Sequence, residues 1–204
     1  IIYYTVTLFI IYKSLPSKLN YHVNLDLLSV SVIVAVRNGG KSLLSLLNLL
    51  SNQTYRGKLE FIIVDDNSID NTSNIIKDYC KRDTRFIYVH SNFGDPLLNH
   101  KKRALDAGIK NSNSEILLFT DVDCSPPLHW VEQMVSRFTP KTDYVIGYSE
   151  IPHSKNLVCI FQRIDFLMLM VATKGSINNN WFWSCSGQNQ AYRRKIYTET
   201  GGFL

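Results

Sequence analysis

The chain has 204 residues, 45% of them hydrophobic and 19% charged. That composition excludes a disordered polymer and gives enough length for one α/β domain with a sizeable core. Lys and Arg outnumber Asp and Glu by 22 to 17, a net charge of +5, which suits an anionic ligand or a membrane surface and does not require nucleic acid. Four cysteines without paired spacing, Cys80, Cys124, Cys159 and Cys185, exclude a disulfide scaffold and a zinc ribbon.

The chain opens on an apolar run, IIYYTVTLFIIY. It is shorter than the roughly 20 residues needed to span a bilayer. It reads as the last part of a transmembrane helix over residues 1–13, its start lying upstream, or else as a buried helix at the domain edge. Lys13 and Lys18 follow, and basic flanks favour the cytoplasmic side. A protein of the cell membrane with a cytoplasmic main domain is therefore expected. Residues 14–28 form a linker, and 29–204 form the main domain.

SVSVIVAV (29–36) is a β-branched apolar run, as expected of a strand buried on both faces. Leu43, Leu46, Leu47 and Leu50 then recur at helical spacing. LEFIIV (59–64) is the second strand. Asp70 or Asn71 caps a helix on which Thr72, Ile75, Ile76 and Tyr79 share a face. RFIYVH (85–90) is the third strand, and residues 101–110 form a helix with Ala104, Leu105 and Ile109 inward. EILLFT (115–120) is the fourth strand. Ser125-Pro126-Pro127 starts a helix lined by Leu128, Val131, Val135 and Phe138. DYVIGYSE (143–150) is the fifth strand. The segment 157–171 is too apolar for an ordinary surface helix; it rests on a bilayer, packs against further membrane helices, or is a core helix.

Strands separated by helices imply right-handed crossovers and a mainly parallel sheet. Ligands of such sheets bind beyond the carboxyl ends of the strands. Three polar clusters fall there: Arg37-Asn38, Asp65-Asp66-Asn67-Ser68, and Asp121-Val122-Asp123. If the backbone stays extended past the fourth strand, Asp121 and Asp123 point the same way. Two such carboxylates make a hard oxygen site for Mg²⁺ or Mn²⁺, with positions left for phosphate oxygens. At the second strand, one carboxylate is suited to accept hydrogen bonds from a base or a ribose, and the other to cap the turn that follows.

VSVIVAVRN, FIIVDDNSIDNT, KKRALDAGI, EILLFTDVDC and SGQNQAYRRKIYTETGGF occur in this order. Together they resemble the ordered motifs of family 2 glycosyltransferases of the GT-A fold, over roughly residues 29–204. The membrane-anchored bacterial branch, akin to cellulose- and hyaluronan-synthase-like enzymes, is the nearest resemblance. It implies an α/β, Rossmann-like GT-A sheet flanked by helices. Ala35, Val36 and Arg37 would contact the nucleotide, Asp66 would read the uracil beside Asp65, and Lys102 would lie near the nucleotide or its phosphates. Asp121 would face the ribose or the sugar, and Asp123, with Asp121, would hold the metal on the diphosphate. Gly187, Asn189 and Arg193 would line the acceptor side. The family usually has a small or hydroxyl residue and Tyr where Val36 and Arg37 stand. Its general base is an acidic residue a short way beyond the Gly201-Gly202-Phe203 turn, past Leu204. The implied reaction moves a sugar from a nucleotide-diphosphate sugar, with uridine favoured, to a hydroxyl of a saccharide or lipid-linked acceptor, with inversion. Mg²⁺ or Mn²⁺ assists, and no nucleic acid takes part.

Two other readings compete. A receiver domain also uses an acidic pair and a later aspartate, but its pair follows the first strand. A sugar-nucleotide nucleotidyltransferase wants a Gly-rich phosphate loop after the first strand, which Arg37-Asn38-Gly39-Gly40-Lys41 faintly resembles.

Overall fold

The computed structural model describes residues 9–10, 12–13, 27–152, 154–181 and 185–203. Most of the apolar N-terminal run and the 14–28 linker lie outside these residues. Among the described residues no helix is long and apolar enough to cross a membrane.

Six strands form one sheet. They are β1 (Val30–Val36), β2 (Leu59–Asp65), β3 (Phe86–His90), β4 (Ile116–Thr120), β5 (Tyr144–Ile146) and β6 (Asn189–Arg193), in the spatial order β3-β2-β1-β4-β6-β5. The first four strands pair in parallel, and β6 runs antiparallel to β4. Helices α1 (Leu43–Ser51), α2 (Thr72–Arg82), α3 (His100–Lys110), α4 (Trp130–Val135), α5 (Leu157–Asn178) and α6 (Arg194–Glu199) complete the fold.

The unbroken apolar strands follow from burial on both faces. Val30, Val32, Val34 and Val36 of β1 join Leu43, Leu46, Leu47 and Leu50 of α1, Ile76 and Tyr79 of α2, and Trp130 and Val131 of α4 in one core cluster. Ile33 points the other way and packs with Ala104, Ala107 and Ile109 of α3. The period of two within β1 thus divides one apolar run between two cores. Gly108 brings α3 close to the sheet. A Cβ there would stand 2.6 Å from Ile33 Cγ2 and 3.0 Å from Val64 Cγ2, tighter than packed atoms tolerate.

Three elements differ from the sequence expectation. The fifth strand is only Tyr144–Ile146. The helix expected from Ser125 onward begins at Trp130, after a turn over Leu128 and His129 in which the Trp130 amide donates to the Pro127 carbonyl at 3.0 Å. β6 was not expected at all. Its sequence, NQAYR, has no apolar alternation, and its hydrogen bonds to β4 supply what periodicity does not.

The chain divides into two compact units, one of residues 21–145 with 187–204 and one of residues 1–20 with 146–186. The first carries the sheet. The second contains α5, capped by Asn156, whose side chain accepts from the Val158 amide at 2.9 Å. The buried residues of α5 are Met170, Thr173, Gly175 and Ser176, while Leu157, Phe161 and Ile164 are exposed.

Candidate functional site

Because β1, β2 and β4 are parallel, their carboxyl ends share one edge of the sheet. The antiparallel β6 brings its first residue there too, since Asn189 pairs with Thr120. Most of the residues expected to bind ligand come to this edge, although not all with free side chains.

The loops after β1 and β2 are tied to each other. The Asn38 amide donates to Ser68 Oγ at 2.9 Å, Gly39 N to Thr72 Oγ1 at 2.9 Å, and Gly40 N to Asp70 Oδ2 at 3.2 Å. In return Asn38 Oδ1 accepts from the Ile69 amide at 2.9 Å. Asn38 and Asn67 both sit in the left-handed region, at φ 52° and 55°, which Asn tolerates better than most residues. Strained backbone at a strand end of this kind is found where ligands are held. The three amides that a phosphate loop would offer are already engaged, which removes the basis of the nucleotidyltransferase reading.

Asp65 and Asp66 take different roles. Asp65 is buried, accepting from the Ser68 amide at 3.0 Å, the Ser73 hydroxyl, and the Tyr88 hydroxyl at 3.4 Å. Burial pushes its carboxyl up, but the bonds from Ser68, Ser73 and Tyr88 outweigh this and leave it below its ordinary value. Both oxygens serve the loop, so Asp65 is the member of the pair that caps the turn. Asp66 is half-buried at the edge, its backbone amide donating to the Val36 carbonyl at 2.8 Å. Val36 departs from expectation, because its side chain lies in the core. Ala35 is half-buried and Arg37 is exposed.

Beyond β4 the backbone does not stay extended. Val122 and Asp123 form a turn closed by the Cys124 amide on the Asp121 carbonyl at 3.1 Å. The argument that alternation aligns the two carboxylates therefore fails; both residues lie in one turn instead. Asp123 is exposed, and Asp121 is half-buried and accepts from Lys101 Nζ at 2.5 Å. Lys101 lies in the first turn of α3, next to Lys102, the residue that the resemblance names. Lys102 is exposed and, among the described residues, forms no ion pair.

The acceptor segment divides between the two ends of the sheet. Gly187 is exposed in the turn before β6. Asn189 is buried at the ligand edge, where its Oδ1 accepts from the Trp130 indole at 2.9 Å. Arg193 does not line this edge. It pairs in register with Ile116 at the opposite end of β4, in ion pairs with Glu115 and Asp143. Arg194 donates to the carbonyls of Ser114 and Ile109 at 2.8 and 3.0 Å, and Lys195 pairs with Asp143 at 3.0 Å. This basic run fastens α6 to the foot of the sheet, as four strand positions separate Asn189 from Arg193.

Asp106 is an acidic residue that the sequence reading passed over. It is buried and accepts from Asp95 N at 2.6 Å, Tyr197 Oη at 2.7 Å and Lys110 Nζ at 2.8 Å. Burial raises its carboxyl; Lys110, Tyr197 and the Asp95 amide more than offset this and hold it low. Burial, with Asp106 beside it, pushes the Tyr197 hydroxyl far up. Asp106 anchors α6 to α3. Among the described residues no cysteine forms a disulfide.

Among the described residues no three His, Cys, Asp or Glu side chains converge on one point. The chain's own donors at the edge are two carboxylates. That set does not cage an ion alone. It fits a Mg²⁺ or Mn²⁺ that completes its octahedron with phosphate oxygens and water.

A sheet whose first four strands are parallel and whose β6 is antiparallel to β4, with acidic residues at the shared carboxyl edge, defines a Rossmann-like α/β class. The family model of glycosyl transferase family 2 matches residues 31–201, and the chain belongs to that family. It is similar to glycosyltransferase AglE of Haloferax volcanii, 34% identical over 112 residues, which cover 52% of this chain and 34% of AglE. It is also similar to the probable glycosyltransferase YdaM of Bacillus subtilis, 27% identical over 186 residues, which cover 87% of this chain and 43% of YdaM. The chain thus spans less than half the length of these relatives. Among solved structures it resembles the mannosyltransferase PcManGT from Pyrobaculum calidifontis, in complex with GDP-Man and Mn²⁺. The TM-score is 0.74 at 20% identity, over 98% of this chain and 56% of that one. The fold is the GT-A, Rossmann-like one expected. The receiver reading fails on both family and topology, since the acidic pair follows the second strand.

Proposed function

We propose that this protein transfers a sugar from a nucleotide-diphosphate sugar to an acceptor hydroxyl, with inversion at the anomeric carbon. The observation that carries this reading is the gathering of Arg37, Asp66, Asp121 and Asp123 at the carboxyl ends of three parallel strands. In a basic chain, an acidic cluster on the ligand edge makes sense if a cation mediates between it and an anionic donor.

Asp66 accepts hydrogen bonds from the base, with uridine preferred. Arg37 and the backbone of Ala35 flank the nucleoside. Lys101 and Lys102, in the first turn of α3, face the phosphates. Asp121 and Asp123 hold the divalent ion, which when bound offsets the charge that grows on the departing diphosphate. Gly187, small and exposed, leaves room for the acceptor, and Asn189 steadies that side through Trp130. The acceptor hydroxyl attacks the anomeric carbon from the face opposite the diphosphate. Its proton passes to an acidic residue past Leu204, as the family resemblance implies. The acceptor is a saccharide or a lipid-linked sugar.

The proposed setting is the cell membrane, with this domain in the cytoplasm. Its support is the apolar run of residues 1–12, the lysines at 13 and 18, and the exposed apolar residues of α5.

The test is a turnover assay with the full-length protein, a panel of UDP- and GDP-sugars and Mn²⁺. Acceptor-dependent release of UDP, with the product anomer inverted by NMR, is the expected result. Release of GDP alone would move Asp66 away from uracil recognition. No release from any donor would refute the transferase reading.

A further inference from the structure

The Lys101–Asp121 pair joins two side chains that are not core residues: they are 53% and 30% exposed. Its place is what matters. Asp121 and Asp123 lie two residues apart in one turn, a local excess of negative charge that favours a nearby cation. Lys101 supplies a compact ammonium on a flexible stem, and it takes one oxygen of the carboxylate that a divalent ion would need. An ammonium and a metal ion cannot both sit at hydrogen-bonding or coordination distance on the same side of one carboxylate oxygen.

We propose that Lys101 is the resident counter-ion of Asp121, and that metal binding is an exchange in which the ion displaces the ammonium. The inference rests on the metal role of Asp121 and Asp123 given above. Two consequences follow. The metal alone binds weakly, because it must break an ion pair. A nucleoside diphosphate offers the released ammonium a new anionic partner, so metal and nucleotide strengthen each other's binding.

The experiment measures bound Mn²⁺ by the loss of the free-ion electron paramagnetic resonance signal, with and without UDP. The proteins are the wild type, Lys101→Gln, Lys101→Arg, Asp121→Asn and, as a control for net charge, Lys81→Gln, whose partner is Asp78 on α2. Lys101→Gln is expected to bind Mn²⁺ alone about two- to fivefold more tightly than wild type, the range set by a partly exposed ion pair. Lys101→Arg and Lys81→Gln are expected to show no such gain. UDP should raise Mn²⁺ affinity more in the wild type than in Lys101→Gln. If Lys101→Gln binds Mn²⁺ no better than wild type, while Asp121→Asn weakens it, the exchange is overturned and the metal role stands. If no protein binds Mn²⁺ even with UDP, the metal role and the exchange fall together.

Discussion

Asp65 gives both carboxylate oxygens to Ser68, Ser73 and Tyr88, while its neighbour Asp66 keeps a half-exposed carboxylate at the ligand edge. Asp66→Ala is therefore expected to weaken UDP binding roughly tenfold, the scale of a hydrogen bond to a charged group. The loss should be equal with and without Mn²⁺; a loss confined to Mn²⁺ would contradict base recognition. Asp123→Ala should abolish the increment in UDP affinity that Mn²⁺ provides and leave metal-free binding unchanged, as calorimetry with EDTA and with Mn²⁺ would show. Asp65 belongs to stability. Its folded-state value lies below its ordinary one, so its contribution is complete above the unfolded value of about 3.9 and is lost as pH falls through the folded value. Asp65→Asn should cost about 1–2 kcal/mol at neutral pH. Its urea midpoint should fall less steeply than the wild type's below pH 4, and parallel curves would exclude this role. Which of two adjacent aspartates turns inward was not legible in the sequence. It depends on Ser73 and Tyr88, distant partners that only the fold brings together.

Helix α3 lies on the sheet through Gly108 and Asp106. Gly108→Ala gains about 1 kcal/mol of helix propensity. The added methyl, however, meets Ile33 and Val64, two β-branched core side chains with little freedom to move. Overpacking of about 1–3 kcal/mol exceeds the gain, so the variant should unfold at lower urea with an unchanged m-value. A rise in the midpoint would mean that the helix can shift. β1, β2 and β4 were readable because burial on both faces requires continuous Val, Ile and Leu. β6 was not, because a polar pentapeptide becomes a strand only through the hydrogen bonds of β4. The same strand explains the correction to Arg193. Motif order brings Gly187, Asn189 and Arg193 together in sequence, whereas an extended backbone carries them about 3.3 Å apart per residue, from the ligand edge to the foot of the sheet.

At the scale of the molecule, strand–helix alternation fixed the class of fold, and the polarity of strand ends fixed which edge binds. Side-chain assignments were less legible, because Val36 and Asp65 turn into the protein and Lys101 pairs with Asp121. These outcomes depend on helix phase and on contacts made across the sheet. The account as a whole holds that the carboxyl ends of β1, β2 and β4 bind a nucleoside diphosphate through a divalent ion. The most direct test is a titration of the protein with UDP by calorimetry, once in Mn²⁺ and once in EDTA. Saturable binding in Mn²⁺, at least tenfold weaker in EDTA, is the predicted result. Equal affinity in both, or no binding of UDP in either, would contradict it.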